Sequence, residues 1–586
     1  MSEDTMTLDP HQEAERIAER VVTLDALSKR LVQALSRGRG VNPALNVPDP
    51  EVFQKAALSY WTKAVHDPMD AMLQQVVFWQ RSAQNILEAA TLVGHEDDAP
   101  SADKRFSNPL WNSATLFHLI KEQYLLNSEA LHSVVANADD LPPKDRQRLA
   151  FFVEQIVNLM APTNFLATNP DALLKAIESD GESLIAGLAN LVEDLESGDG
   201  DLVVRLADTE AFQVAGNIAT TPGEVVFRNR IMELIQYAPT TETVHETPIV
   251  LFPPWINKFY ILDLKEKNSL IKWITDQGYT LFVVSWFNPN EADADVGLEQ
   301  YIEDGILTAI EQAKTNCGTA QVNAVGYCIA GTTLSLTLSL LKQRGDTSVK
   351  SATFFTTLTD FSEQGEFTPF LQDDFIDNIE DEVAEKGVLG SHIMARTFSF
   401  LRSNDLVYGP AVRSYYLGEA PPAFDLLYWN GDGTNLPGKM VVQFLRGLCQ
   451  GNGFADDGFE LLGHTLRLSD VDVPLMAITC ESDHIAAWRD CYRGVQAMGS
   501  EDKTFVVSES GHIAGIVNPP SKGKYGHYMN PELAAPAAEW LDGATLHDGS
   551  WWPTWEAWLH ERSGPMVEAR QPVRSELGAA PGTYVL

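Results

Sequence analysis

Gly326-Tyr327-Cys328-Ile329-Ala330-Gly331 sets a cysteine between a short β-type run, Val322, Ala324 and Val325, and a segment that opens with small residues. A strand turning sharply into a helix here would hold the thiol clear of a sheet, with backbone N–H groups pointing at it, as a nucleophile elbow does. Two features oppose this. The fifth position of the box is Ala330 rather than glycine, and Thr333 to Leu340 alternates polar and apolar like a strand. The elbow is the stronger reading because partners follow in the right order. The plainer reading makes Cys328 one buried structural cysteine of five.

A nucleophilic thiol needs a base, and the base needs an orienting group. The β-type run Pro474 to Cys480 ends in Glu481-Ser482-Asp483-His484, and the run Thr504 to Ser508 ends in Glu509-Ser510-Gly511-His512. Cys328, Asp483 and His512 thus come in the nucleophile, acid, histidine order of α/β-hydrolases. His484 competes as base, but it occupies the loop of the acid rather than the last loop. An oxyanion needs two donors; the elbow supplies the Ile329 N–H. The second is expected from Pro253-Pro254-Trp255-Ile256-Asn257, after the run Pro248 to Phe252. Neither proline has an N–H, which leaves Trp255 or Ile256. A thiol suits exchange with a coenzyme A thioester, because one thioester replaces another at nearly equal energy and stays reactive toward an alcohol.

Around this centre the β-type runs Pro248 to Phe252, Thr280 to Trp286, Gln321 to Gly326, Ala352 to Thr357, Pro474 to Cys480 and Thr504 to Ser508 alternate with helical segments. That texture predicts an α/β domain with a mostly parallel sheet covered on both faces, and Cys328 at the carboxyl end of a central strand. About 360–450 interrupts it without regular alternation, and reads as an inserted cap or as an extra structural lobe. Before about residue 205 the pattern is mostly helical, with apolar residues at Ile17, Val21, Leu24, Leu27, Leu31 and Leu35 on one helical face. That face can pack on the next helix, meet a partner or lie on an apolar surface. The acidic, glycine-containing Glu193 to Asp201 reads as a linker. The expected domains are 1–205 and 206–586.

With 42 basic against 81 acidic residues, the formal charge of −39 repels phosphate backbones, so nucleic acid is not expected as a partner. No signal peptide or membrane span is expected, since no apolar stretch approaches eighteen residues. Five cysteines without a C-x-x-C pair fit neither a disulfide framework nor a zinc site, and point to a reducing cytoplasm. The histidines lack ligand spacing, so no metal is expected.

The motifs together resemble the single-subunit, short-chain polyhydroxyalkanoate synthases over about residues 100–560. The likeness rests on the stretch Pro162 to Pro170, Thr221-Pro222-Gly223, Pro253 to Lys258, Ser285-Trp286-Phe287-Asn288-Pro289, the Cys328 box and Leu427-Tyr428-Trp429-Asn430. It extends through Ser482 to Ile485, Ser510 to Gly515, Asn518-Pro519-Pro520 and Gly549-Ser550-Trp551-Trp552-Pro553. Ala330 stands where glycine is usual and Phe287 where a basic residue often sits. The resemblance implies polymerisation of (R)-3-hydroxyacyl-CoA, chiefly 3-hydroxybutyryl-CoA, into polyester with release of CoA. Cys328 would carry the chain as a thioester, His512 would activate the thiol, and Asp483 would orient His512 or help deprotonate the incoming hydroxyl. It further implies an α/β-hydrolase catalytic domain under a mobile cap and a helical N-terminal domain for dimerisation and granule attachment. A cytoplasmic homodimer at the polyester surface, with CoA as part of the substrate and no other cofactor, completes the expectation. The alternative is a cysteine-dependent thioesterase or hydrolase of the same fold.

Overall fold

The computed structural model describes residues 10–37, 68–91, 103–198, 200 and 202–586. The chain divides into two compact units: residues up to Asp208 with Phe398–Pro422, and Thr209–Thr397 with Ala423–Leu586. Residues 398–422, expected within the cap, thus belong to the first unit.

The first unit is helical. Its helices include Pro10–Leu35, Pro68–Thr91, Thr115–Ala136, Pro143–Leu159, Pro170–Glu178 and Glu182–Ser197. Phe106, Trp111, Tyr124, Leu149, Val153 and Val157 form one core cluster. The start of Pro170–Glu178 is fixed locally: the Asn169 side chain accepts the Ala172 N–H, and Pro170 sits where no N–H is needed. Along Pro10–Leu35, Arg20 pairs with Glu182 and Arg30 with Glu196, and Leu27 and Ala34 are buried. Val21, Val22, Val32 and Leu35 stay exposed. The linker expectation for Glu193 to Asp201 needs correcting, because the helix continues through Ser197. Asp194 is buried there and accepts from Arg205 and, at 2.7 Å, from the Tyr415 hydroxyl, so part of the acidic run holds the unit together.

The second unit is built on a sheet of ten strands: β1 (Gly223–Arg228), β2 (Met232–Tyr237), β3 (Ile249–Phe252), β4 (Leu281–Trp286), β5 (Val322–Tyr327), β6 (Val349–Phe355), β7 (Leu475–Cys480), β8 (Lys503–Ser508), β9 (His527–Met529) and β10 (Thr545–His547). Their spatial order is β1-β2-β4-β3-β5-β6-β7-β8-β9-β10. From β4 to β8 all neighbours are parallel, whereas β1, β2, β9 and β10 add antiparallel pairs at the two edges. Strands β3, β4, β5 and β7 are buried throughout, as a sheet covered on both faces requires. The six expected runs correspond to β3 to β8, and the antiparallel edges are additions. Strand β2 carries Glu233 and Gln236, which break the apolar run. Glu233 is nevertheless fully buried, receiving Arg228 and the N–H groups of Thr583 and Tyr584.

Thr333 to Leu340 lies within the helix Ile329–Arg344 and is not a strand. In the cap region, the part within this unit contains the helices Asp373–Lys386, Asp425–Gly431 and Gly438–Val442. Val388–Leu389 pairs there with Leu436–Pro437.

Candidate active site

Cys328 joins β5 to the helix Ile329–Arg344 with φ 55° and ψ −125°. Such a conformation costs a residue with a Cβ about 1–3 kcal/mol and persists only where the surroundings impose it. Here the Cys328 N–H donates to Phe355 O at 2.9 Å, which ties the turn to the end of β6. A Cβ on Gly326 would lie 2.6 Å from Gly331 Cα, and one on Gly331 would lie 2.0 Å from Thr357 Oγ1. These two positions therefore accept only glycine without a shift. Ala330 is fully buried with its methyl accommodated, so alanine at the fifth box position is compatible with the turn. The Ile329 N–H begins the helix and has no intrahelical acceptor.

His512 lies on the loop after β8 and Asp483 on the loop after β7. His512 Nδ1 meets Asp483 Oδ2 at 2.6 Å, and Asp483 Oδ1 accepts the N–H groups of Ile485 and Ala486 at 2.8 and 2.9 Å. The carboxylate is thus fixed by the backbone before it fixes the ring. Nδ1 donates to it, which leaves Nε2 as the ring nitrogen available to a thiol. Burial pulls the imidazolium down. The nearby Asp483 and Cys328 groups, with the hydrogen bond to Asp483, outweigh this and raise His512 to about 10. A site of this kind can take a proton from a thiol or hydroxyl and return it to a leaving sulfur.

Three supports of the histidine loop carry no signal in the catalytic pattern. The Tyr327 hydroxyl donates to His512 O at 3.1 Å, and burial pushes its ionisation well up, so it remains a donor. The indole N–H groups of Trp551 and Trp552 donate to Gly515 O and Ile516 O at 2.8 and 2.9 Å. Buried tryptophans normally find an acceptor, and the Trp-Trp pair at 551–552 is the one sequence signal that could have pointed here.

Trp255 and Ile256 lie on the loop that follows β3, whose last residue Phe252 stands opposite Gly326 of β5. The loop therefore begins beside the elbow. Trp255 is buried, stacked on Tyr301 at 4.3 Å between ring centres. Among the described residues, no group of three or more His, Cys, Asp or Glu side chains is arranged to hold a metal ion, and no helix is long and apolar enough to cross a membrane.

Known proteins of one kind resemble this chain. A profile described as "Poly-beta-hydroxybutyrate polymerase (PhaC) N-terminus" matches residues 102–274, and one for the alpha/beta hydrolase fold matches residues 247–519. The poly(3-hydroxyalkanoate) polymerase of Methylorubrum extorquens is 43% identical over 491 residues, 83% of this chain and 81% of that protein. The poly(3-hydroxyalkanoate) polymerase subunit PhaC of Rhizobium meliloti is 38% identical over 86% of this chain and 83% of its own length. Its counterpart from Cupriavidus necator is 39% identical over 86% and 85%. With an α/β-hydrolase sheet, a cysteine at its elbow and relatives matched over most of their length, the chain belongs to the poly(3-hydroxyalkanoate) polymerase family.

Proposed function

We propose that the chain polymerises (R)-3-hydroxyacyl-CoA, chiefly 3-hydroxybutyryl-CoA, through a thioester on Cys328. The observation that carries this reading is Cys328 at an elbow, with His512 held by Asp483 at 2.6 Å on the loops that follow β8 and β7, in a chain of this family. The Cys328 sulfur, its proton handed to His512, attacks the acyl carbonyl. The oxyanion takes the Ile329 N–H and a donor from the 255–256 loop, and the proton on His512 passes to the departing CoA sulfur. His512 then takes the proton of a second monomer's 3-hydroxyl. That oxygen attacks the enzyme thioester, the Cys328–acyl bond breaks, and the lengthened chain, now on CoA, reloads Cys328 with release of CoA.

The same proposal includes a homodimer and attachment to the polyester surface. Val21, Val32 and Leu35 are exposed on one face of Pro10–Leu35, which supports contact with an apolar surface. Unchanged granule association after deletion of residues 1–40 would exclude that part.

The test of the activity supplies wild type and Cys328→Ala with (R)-3-hydroxybutyryl-CoA, following free thiol and sizing the acyl product. CoA release with insoluble high-mass polyester, lost in the variant, is expected. Monomeric 3-hydroxybutyrate as the sole product would make the chain a thioesterase instead.

A further inference from the structure

The loop Pro253–Lys258 is held by its carbonyl oxygens. Pro253 O accepts the Trp286 indole N–H at 2.7 Å, and Lys258 O accepts the Trp429 indole N–H at 2.6 Å. Between them, one cap residue takes two more carbonyls, those of Trp255 and Ile256. The Thr434 hydroxyl donates to Trp255 O, and the Thr434 N–H donates to Ile256 O at 3.0 Å. Thr434 is itself buried, and the segment around it is pinned: Gly433 bridges Asn257, and Asp432 receives the Tyr260 hydroxyl at 2.7 Å and Lys258 Nζ at 2.7 Å.

A trans peptide plane fixes the consequence. Trp255 O and the Ile256 N–H belong to one plane and point in opposite directions. By holding Trp255 O, the Thr434 hydroxyl turns the Ile256 N–H away from the cap segment. Among the described residues neither that N–H nor the Trp255 N–H has an acceptor, and the clamp on Trp255 O orients the Ile256 one. A backbone donor left unpaired on the loop beside the elbow is available to a ligand oxygen. Rotation of the same plane by half a turn would present a carbonyl oxygen, which repels an oxyanion, in place of the donor.

We propose that Thr434 is a positioning residue that selects Ile256, rather than Trp255, as the second oxyanion donor by clamping the Trp255–Ile256 peptide. This rests on the acyl-transfer reading of Cys328. It also gives the cap segment Asp432–Thr434 a task in the chemical step.

The experiment compares wild type, Thr434→Val and Thr434→Ser. Valine keeps the shape and the backbone N–H but lacks the hydroxyl; serine restores it. Each is tested for single-turnover acylation by (R)-3-hydroxybutyryl-CoA and by p-nitrophenyl butyrate, and for alkylation of Cys328 by iodoacetamide, which forms no oxyanion. One oxyanion donor is worth about 10²–10³ in rate, so acylation of Thr434→Val should fall about 10- to 100-fold with KM nearly unchanged. Alkylation should stay at the wild-type rate, and serine should recover most of the loss. Thr434→Val acylating within about twofold of wild type overturns the proposal. So does an equal fall in alkylation, or failure of serine to recover, since either marks a general disturbance of the site. If wild type reacts with the aryl ester but not the CoA thioester, the polymerase substrate fails while the clamp is still read from the ester. Wild type inert to both overturns clamp and function together.

Discussion

Asp483→Asn is the perturbation whose outcome the site geometry defines most sharply. In wild type, Asp483 Oδ1 is saturated by two backbone N–H groups and Oδ2 faces His512 Nδ1 at 2.6 Å. Asparagine would keep its oxygen on the backbone donors and turn its NH₂ toward Nδ1. Two donors would then meet, so the ring adopts the tautomer with its hydrogen on Nε2, where it cannot accept a proton from Cys328. Removing one partner of a buried charged pair costs about 3–5 kcal/mol. At about 1.4 kcal/mol per tenfold, that corresponds to roughly 10² to just under 10⁴ in the acylation rate, whose upper end approaches the loss seen when a triad acid is made an amide. Single-turnover CoA release from (R)-3-hydroxybutyryl-CoA measures it, with chain elongation followed separately. Acylation within about tenfold of wild type would refute the reasoning. Normal acylation with failed elongation would assign Asp483 to the incoming hydroxyl rather than to His512.

The same contact predicts a pH dependence of stability. His512 is raised from 6.5 to about 10, so its contribution is fully present below 6.5 and lost as pH rises through about 10. The difference in apparent Tm between wild type and Asp483→Asn should therefore shrink over that window; a constant difference would contradict the pairing. Iodoacetamide at neutral pH should label Cys328 well before the other thiols. Burial pushes Cys449, Cys480 and Cys491 up, and Cys317 to about 11, and peptide mass spectrometry would read the order. Gly331→Ala should destabilise by about 1–3 kcal/mol and slow acylation, because its methyl would enter Thr357, whereas Ala330→Gly should cost about 1 kcal/mol and leave acylation near wild type. Thermal denaturation with single-turnover kinetics separates the two. Glu233→Ala should leave the N–H groups of Thr583 and Tyr584 unpaired while Arg228 keeps Leu577 O and Thr583 Oγ1, at about 2–6 kcal/mol, and proteolysis within residues 575–586 should accelerate.

The parallel centre of the sheet and the order Cys328, Asp483, His512 were legible because each is written locally: buried strands read as apolar runs, and each candidate residue lies just after a strand's carboxyl end. The edges were not. Strand β2 sets Glu233 and Gln236 among apolar residues, yet these polar groups are buried because Thr583 donates to Glu233 and Arg570 O accepts from Gln236, contacts more than three hundred positions away in sequence. The linker misread has the same origin. An acidic run looks solvated until Arg205 and Tyr415 are seen to converge on Asp194. Thr434 was equally silent, since one hydroxyl on a cap segment carries no motif.

The helix behind the elbow shows why alternation misled. From Ile329 to Leu341 the helix is buried on every side, so no polar face exists to reveal a helical period. Its hydroxyls are satisfied inside the helix instead: Thr333 donates to Ile329 O, Ser335 to Gly331 O and Thr337 to Thr333 O, each four residues back. Two more reach outward, Thr332 to Leu358 O and Ser339 to Asp470. Alternating Ser/Thr and Leu is therefore a device for burying a helix without orphaned donors, and it serves the elbow directly. A turn held at φ 55° keeps its thiol in one place only if the helix it launches cannot shift. Close approach at Gly326 and Gly331, and the packing that surrounds the helix, remove that freedom. The strain at Cys328 is thus supported by the most misleading stretch of the chain, and loosening that helix should misplace the sulfur before it unfolds the domain.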